Sequence, residues 1–229
     1  MTWGIAYPSP EHEMPLPAAW VPGAALEPSS ATALSRIAPE TSVPQLTLTT
    51  AIDAAELLLF RSDLRSTLEG VAVCAAGRAL SAHPDVNFTL VERPGGPAIV
   101  PVASSSVELV VLCDDGLRSA TVDAGDTRSL SDVRDAVAAA VDELRCGRMS
   151  TQERRAALSL RTFALSGAAG PSTVEPPASS ALVLGRLCGE TKTMQVELSV
   201  DARVVDAAQA SRLFATIVRL LEHPYRRLH

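Results

Sequence analysis

A strand that ends in a charged turn and hands over at once to a helix constrains this chain most. Met194, Val196, Leu198 and Val200 alternate with Gln195, Glu197 and Ser199, the period of a strand with a buried face. The run stops in a short charged turn, Asp201 to Asp206. A helix follows to Glu222, with Ala210, Leu213, Phe214, Ile217, Val218 and Leu221 on one side. Asp206 stands where an N-cap belongs. Charged residues gathered where strand meets helix also mark a place for chemistry.

The rest of the chain has to supply the other strands and a core. Hydrophobic residues make up 47% of the 229 residues, but aromatics only 3%, so Ala, Val and Leu must build that core. The net charge is −6. No basic cluster is long enough to track a nucleic-acid backbone, and aromatics are too few for base stacking. No run of about 18 apolar residues could span a membrane. No basic segment followed by an apolar core marks a secretion signal, and the expected location is the cytoplasm. Cys74, Cys113, Cys146 and Cys188 are widely spaced without a Cys-x-x-Cys pair, which argues against zinc and for reduced thiols. No metal site is expected.

Residues 1–33 carry prolines at 8, 10, 15, 17, 22 and 28, which break helices and central strands. They form an arm, either extended or packed through Trp3 and Trp20 on a neighbouring subunit. The domain proper is 34–229. Val43 to Asp53 alternates and is rich in Thr, a strand. Asp53 is expected to cap a helix from Ala54 to about Leu68, with a second helix over Val71 to Ala82 ending before His83-Pro84. Asp85 to Leu90 reads as a turn and strand. Arg93 to Pro97 is a turn, and Ile99 to Ala103 and Val107 to Cys113 are strands. Asp114 to Leu117 is a tight turn. Ser129 or Ser131 caps a helix whose buried face is Val133, Val137, Val141 and Leu144, ending at Gly147. Thr162 to Gly167 reads as a strand. Ala181 to Cys188 is another, pairing with Thr193 to Val200 across Gly189 to Lys192.

Asp201-Ala202-Arg203-Val204-Val205-Asp206-Ala207 resembles the D-H-R-x-x-D-G signature of the 2-oxoacid dehydrogenase acyltransferase catalytic domain, which shares its fold with chloramphenicol acetyltransferase. Weaker matches stand in the family's order. They are Ser35-Arg36-Ile37-Ala38, Asp85-Val86-Asn87, Gly147-Arg148-Met149, Thr162-Phe163-Ala164-Leu165-Ser166 and Glu175-Pro176-Pro177. The resemblance covers about residues 35 to 228. It implies a two-layer sandwich, a mixed β-sheet covered by helices, assembled as a homotrimer with sites at subunit interfaces. The position of the family's histidine comes from one subunit and the acceptor pocket largely from the next.

The resemblance also implies chemistry. Members move an acyl group from a thioester to a thiol or hydroxyl, and a neutral imidazole takes the acceptor's proton near pH 7. Ser166 falls at the hydroxyl that stabilises the tetrahedral oxyanion, and Asp206 at the acid that organises the loop. Asp201 and Arg203 flank the base position and are expected to form structural ion pairs. The base itself is missing, because Ala202 stands where the family has histidine and Ala207 where it has glycine. Ala202 is either an engineered replacement, which the retained Asp201, Arg203, Asp206 and Ser166 favour, or the mark of a relative that works as a scaffold or binding protein. Acetyl-CoA is the expected co-substrate, with no covalently bound cofactor. No lipoyl or subunit-binding segment precedes the core, so a small-molecule hydroxyl is expected as acceptor in place of lipoamide. Stand-alone relatives in bacterial polyketide antibiotic pathways acetylate the hydroxymethyl group of a tetronate ring. The acceptor expected here is that group or the hydroxyl of another small molecule.

Overall fold

The computed structural model describes residues 43–91, 93–94, 96–113, 116–125, 127–147, 155–163 and 173–228. The proline-rich arm, the Ser35 to Ala38 segment and Ser166 lie outside these residues.

Eight strands and five helices follow in order. They are β1 (Gln45–Asp53), α1 (Ala55–Asp63), α2 (Leu68–Ala82), β2 (Phe88–Val91), β3 (Ala98–Pro101), β4 (Ser106–Cys113), β5 (Gly116–Asp123), α3 (Leu130–Arg145), β6 (Leu158–Thr162), β7 (Ser180–Leu187), β8 (Thr193–Asp201), α4 (Ala207–Glu222) and α5 (Pro224–Arg227). A 3-10 turn, Pro84–Val86, links α2 to β2. Six strands form one sheet in the order β1-β8-β7-β6-β4-β5. β4, β6 and β7 run parallel, and the remaining neighbours pair antiparallel. The β2–β3 hairpin is a separate small sheet.

Strand alternation sorts the sheet's two faces. Val107, Leu109, Leu158, Leu160, Leu182, Leu184, Val196, Leu198 and Val200 join the helices in one continuous core. The opposite face carries Ser159, Arg161, Ala181, Val183 and Ser199, also buried. The side chains on that face are largely polar and pair locally. The Thr47 and Ser199 hydroxyls meet at 2.7 Å across β1 and β8. Arg161 forms an ion pair with Glu175 and donates to Thr173 Oγ1 at 3.1 Å.

Helix α2 is the centre of the helical layer, packed between α3 and α4 and over β4 and β6. It is buried on almost every side, from Val71 to Gly77 without a break. Its run of Ala, Gly and Cys makes that possible, since small side chains let neighbours approach closely. Gly77 shows the limit: a Cβ there would stand 2.5 Å from Ala124 Cβ and nearer still to the Ala124 carbonyl oxygen.

The sequence reading needs several corrections. The helix expected to run on to Leu68 ends at Asp63. Leu64 closes it, Arg65 takes φ 50°, and Thr67 starts α2 by accepting a bond from Gly70 N at 3.1 Å. The second helix therefore begins at Leu68, not Val71. Asp53 is not the cap residue of α1. Ala54 holds that position, and Asp53 Oδ1 accepts from Ala55 N at 2.9 Å. Ser129, not Ser131, caps α3. The strand expected over Ile99 to Ala103 ends at Pro101. A strand is present at Leu158–Thr162, and residues 164–167 of the strand expected from Thr162 lie outside the described residues. Gly116 and Leu117, expected within a tight turn, already belong to the edge strand Gly116–Asp123 against β4.

Candidate functional site

The Asp201 to Asp206 turn is held from three directions. Asp201 N donates to Ser179 O at 2.8 Å and Ala202 N to Pro44 O at 2.8 Å, tying the strand end to its neighbours. Val204 N and Val205 N both donate back to Asp201 O, at 2.9 and 3.0 Å. Val205 is buried and pins the turn to the core. Ser179, in turn, donates through Oγ to Phe88 O at 2.6 Å.

Asp201 and Arg203 pair with each other across the turn. The carboxylate accepts from Arg203 N at 3.0 Å, from Nε at 3.0 and 3.2 Å, and from Nη2 at 2.7 Å. Asp201 is 2% exposed and the Arg203 side chain 40%. The fork geometry is bidentate, the stronger form of such a pair.

Asp206 caps α4 as the sequence suggests and does so reciprocally. Its Oδ1 accepts from Gln209 N at 2.8 Å, and Gln209 Oε1 accepts from Asp206 N at 3.0 Å. This capping box satisfies two helix-start donors at once. Gln209 also donates through Nε2 to Asp85 O at 2.9 Å, and Arg212 pairs with Asp85 at 3.1 Å. These two residues dock the start of α4 onto the 3-10 turn that follows α2. Sequence reasoning passed over Gln209, although the Asp-x-x-Gln spacing signals it; the docking on Asp85 has no local signal.

Between these fixed groups stands Ala202, exposed to solvent. No described histidine replaces the missing base. His83 Nε2 bonds Thr216 Oγ1 at 2.8 Å, nine residues or about 13 Å down α4 from Ala207. His223 Nδ1 lies 3.3 Å from Glu56, at the far end of that helix. Among the described residues, no cluster of His, Cys, Asp and Glu is placed to hold a metal. No described helix is long and apolar enough to cross a membrane.

Ser166 lies outside the described residues, but Thr162, at the start of its motif, is at the opposite end of the sheet. Thr162 pairs with Leu184, and Leu184 with Val196. Val196 is five residues from Asp201 along β8, a separation of about 17 Å. At the Thr162 end, where parallel β4 and β6 finish, a cavity of about 440 Å³ opens. Its walls include Arg61, Thr67, Glu69, Arg145, Thr162 and Phe163. Thr162 Oγ1 donates to Glu69 Oε1 at 2.6 Å, joining β6 to the first turn of α2.

The layered helix-on-sheet arrangement, with a capped strand-to-helix turn at one end and a cavity at the other, defines the fold class. Residues 28–229 match the family of 2-oxoacid dehydrogenases acyltransferase (catalytic domain), and the chain belongs to that family. A curated relative is the dihydrolipoyllysine-residue acetyltransferase component of the pyruvate dehydrogenase complex of Zymomonas mobilis. It is 23% identical over 206 residues, 80% of this chain and 46% of the relative. The chain thus spans less than half the length of that protein. Among solved structures, the dihydrolipoamide acetyltransferase of Azotobacter vinelandii superposes with a TM-score of 0.74 at 19% identity, covering 93% of this chain and 98% of that one. A chloramphenicol acetyltransferase superposes with a TM-score of 0.53 at 11% identity, covering 78% of this chain and 86% of that one. The expected two-layer fold is the observed one.

Proposed function

We propose that this chain is a CoA-dependent O-acyltransferase domain whose proton-accepting position is occupied by Ala202. One observation carries the reading: the frame around residue 202 is fully built. The Asp201–Arg203 fork and the Asp206–Gln209 capping box hold the turn on both sides of an exposed alanine. The catalytic mechanism of the Azotobacter relative has been probed at a serine, a histidine and an asparagine, the last two four residues apart. Ala202 and Asp206 have that spacing.

In the proposed reaction the acceptor hydroxyl attacks the thioester carbonyl of acetyl-CoA. The C–S bond breaks, and the proton leaves with the CoA thiolate. A neutral imidazole at position 202 would carry that proton; a methyl group cannot. Ser166 would donate to the oxyanion, a contact worth about 10² to 10³ in rate. Because the Thr162 end and the Ala202 end lie on opposite ends of one sheet, the two groups would meet between copies of the chain. That supports a homotrimer with shared sites. The acceptor is a small-molecule hydroxyl, with the hydroxymethyl group of a tetronate ring as the specific candidate.

A second reading, a non-catalytic binding protein, is favoured by the commitment of His83 and His223 elsewhere. The test compares Ala202→His with the chain as given, following CoA thiol release from acetyl-CoA with hydroxylated acceptors that include a tetronate. Turnover in Ala202→His alone supports the acyltransferase reading. Absence of turnover and of acetyl-CoA binding in both proteins supports the binding-protein reading.

A further inference from the structure

The cavity at the Thr162 end has an electrostatic imbalance that the acyltransferase fold does not require. Four ionisable side chains line it. Arg161 pairs with Glu175, and Glu69, which accepts the Thr162 hydroxyl, contributes one negative charge against two further arginines. Arg61 and Arg145 remain, and neither has an ion-pair partner among the described residues. Arg61 Nε is buried with no hydrogen-bond acceptor. A buried charged donor left unmet is costly, and native structures seldom keep one without a reason. Thr67 and Leu68 place the start of the 15-residue helix α2 on the same wall, and a helix start adds positive potential there.

Apolar side chains complete the lining, among them Val110, Val141 and Phe163. At its mouth Leu112 and Leu117 sit directly opposite each other on the β4–β5 hairpin. They are 74% and 41% exposed, although both are large and apolar. A patch of this kind at a cavity mouth marks a binding surface.

From this pairing of an unmet guanidinium with a leucine-lined mouth, we propose that the cavity binds a small amphipathic organic anion. The acid group sits at Arg61 and Arg145, and the aliphatic or aryl body lies against Leu112 and Leu117. On the acyltransferase reading above, on which this assignment of role rests, the ligand is the acceptor: a hydroxylated organic acid and not a neutral thiol or alcohol. The binding claim itself needs no turnover. The cavity stands at the carboxyl ends of two parallel strands, the usual place for a ligand in an open α/β sheet.

The test is calorimetric titration of the full chain with octanoate, octanol, octylammonium and inorganic phosphate. The expected result is binding of octanoate at least tenfold tighter than octanol, no binding of octylammonium, and weakening with added salt. Arg61→Gln should weaken octanoate about tenfold. Arg145→Gln, at an exposed position, should weaken it severalfold without affecting folding. Arg186→Gln, which is not among the cavity's lining residues, should leave it unchanged. Equal affinity for octanol, or octanoate binding unchanged in both Arg61→Gln and Arg145→Gln, overturns the proposal. Phosphate binding as tightly as octanoate also overturns it, because the apolar wall would then have no part. 8-Hydroxyoctanoate that binds but is not acetylated by Ala202→His would keep the site and refute only its role as acceptor pocket.

Discussion

Asp201 and Arg203 are unequal partners, and cutting the pair from either side should show it. Arg203→Met keeps the apolar stem and removes the guanidinium. A carboxylate 2% exposed is then left with the backbone N–H of residue 203 as its remaining donor in the pair. Stranding a buried charge costs about 3–5 kcal/mol, and the surviving amide bond puts this case near about 3. Asp201→Asn instead leaves a guanidinium that is already 40% exposed. It can turn to water, and the asparagine oxygen still accepts one bond, so the loss is about 1.5 kcal/mol, that of a charge-assisted contact. The difference of about 1.5 kcal/mol is roughly tenfold in the unfolding equilibrium. Urea denaturation of the three proteins measures it as midpoint shifts at constant m. Equal costs, or a larger cost for Asp201→Asn, would refute the argument. They would mean that the carboxylate is not desolvated and that the turn is held by its backbone bonds alone.

Two further substitutions probe the helical layer. Gly77→Ala gains about 1 kcal/mol of helix propensity, but its Cβ would lie 2.5 Å from Ala124 Cβ and closer to that carbonyl. Overpacking against backbone costs about 1–3 kcal/mol, so a lowered midpoint in thermal melts is expected, against the propensity trend. Tyr225 donates its hydroxyl to Asp63, which, with burial and the charges of Asp63 and Glu56, raises the phenol from 10.0 to about 12. Its stabilising contribution is complete below pH 10 and lost as pH rises from 10 to about 12. A phenolate absorbance titration should show this late step, and Tyr225→Phe should remove it together with the matching fall in stability.

Legibility in the sequence followed how local the determining interaction is. β8, the Asp206 cap and α4 were readable because the period changes within one turn and the cap lies beside it. The β7–β8 hairpin was readable from its polar turn. The break between α1 and α2 was not, because Leu64 continues the apolar pattern and the interruption rests on Arg65 in a left-handed conformation that its residue type does not advertise. The start of β5 was misplaced by two residues, because it lies at the sheet edge, where half-exposed positions blur the alternation. Within the site, Asp201, Arg203 and Asp206 could be named from their spacing. Gln209 was legible but overlooked. The Arg61 and Arg145 cavity was not legible, since α1, α3 and the ends of β4 and β6 meet there from separate parts of the chain.

The register of the sheet separates the two jobs that an acyltransferase must combine. On the proposed reading proton transfer falls to the turn after β8, while the cavity stands at the ends of β4 and β6, with about 17 Å of strand between the two in one chain. Nothing in the Asp201 to Asp206 turn contributes a wall to the cavity. A substitution at residue 202 therefore leaves the cavity's arginines and leucines where they are. The converse also holds, since Asp201–Arg203 and Asp206–Gln209 are satisfied locally and do not need a ligand to stay in place. A chain of this family carrying Ala202 is thus expected to keep ligand affinity while losing turnover. The two properties should respond to separate substitutions: affinity to Arg61 and Arg145, and rate to residue 202. A variant at 202 that changed octanoate affinity as much as Arg61→Gln would show that the two ends communicate within the chain, contrary to what the fixed sheet between them predicts.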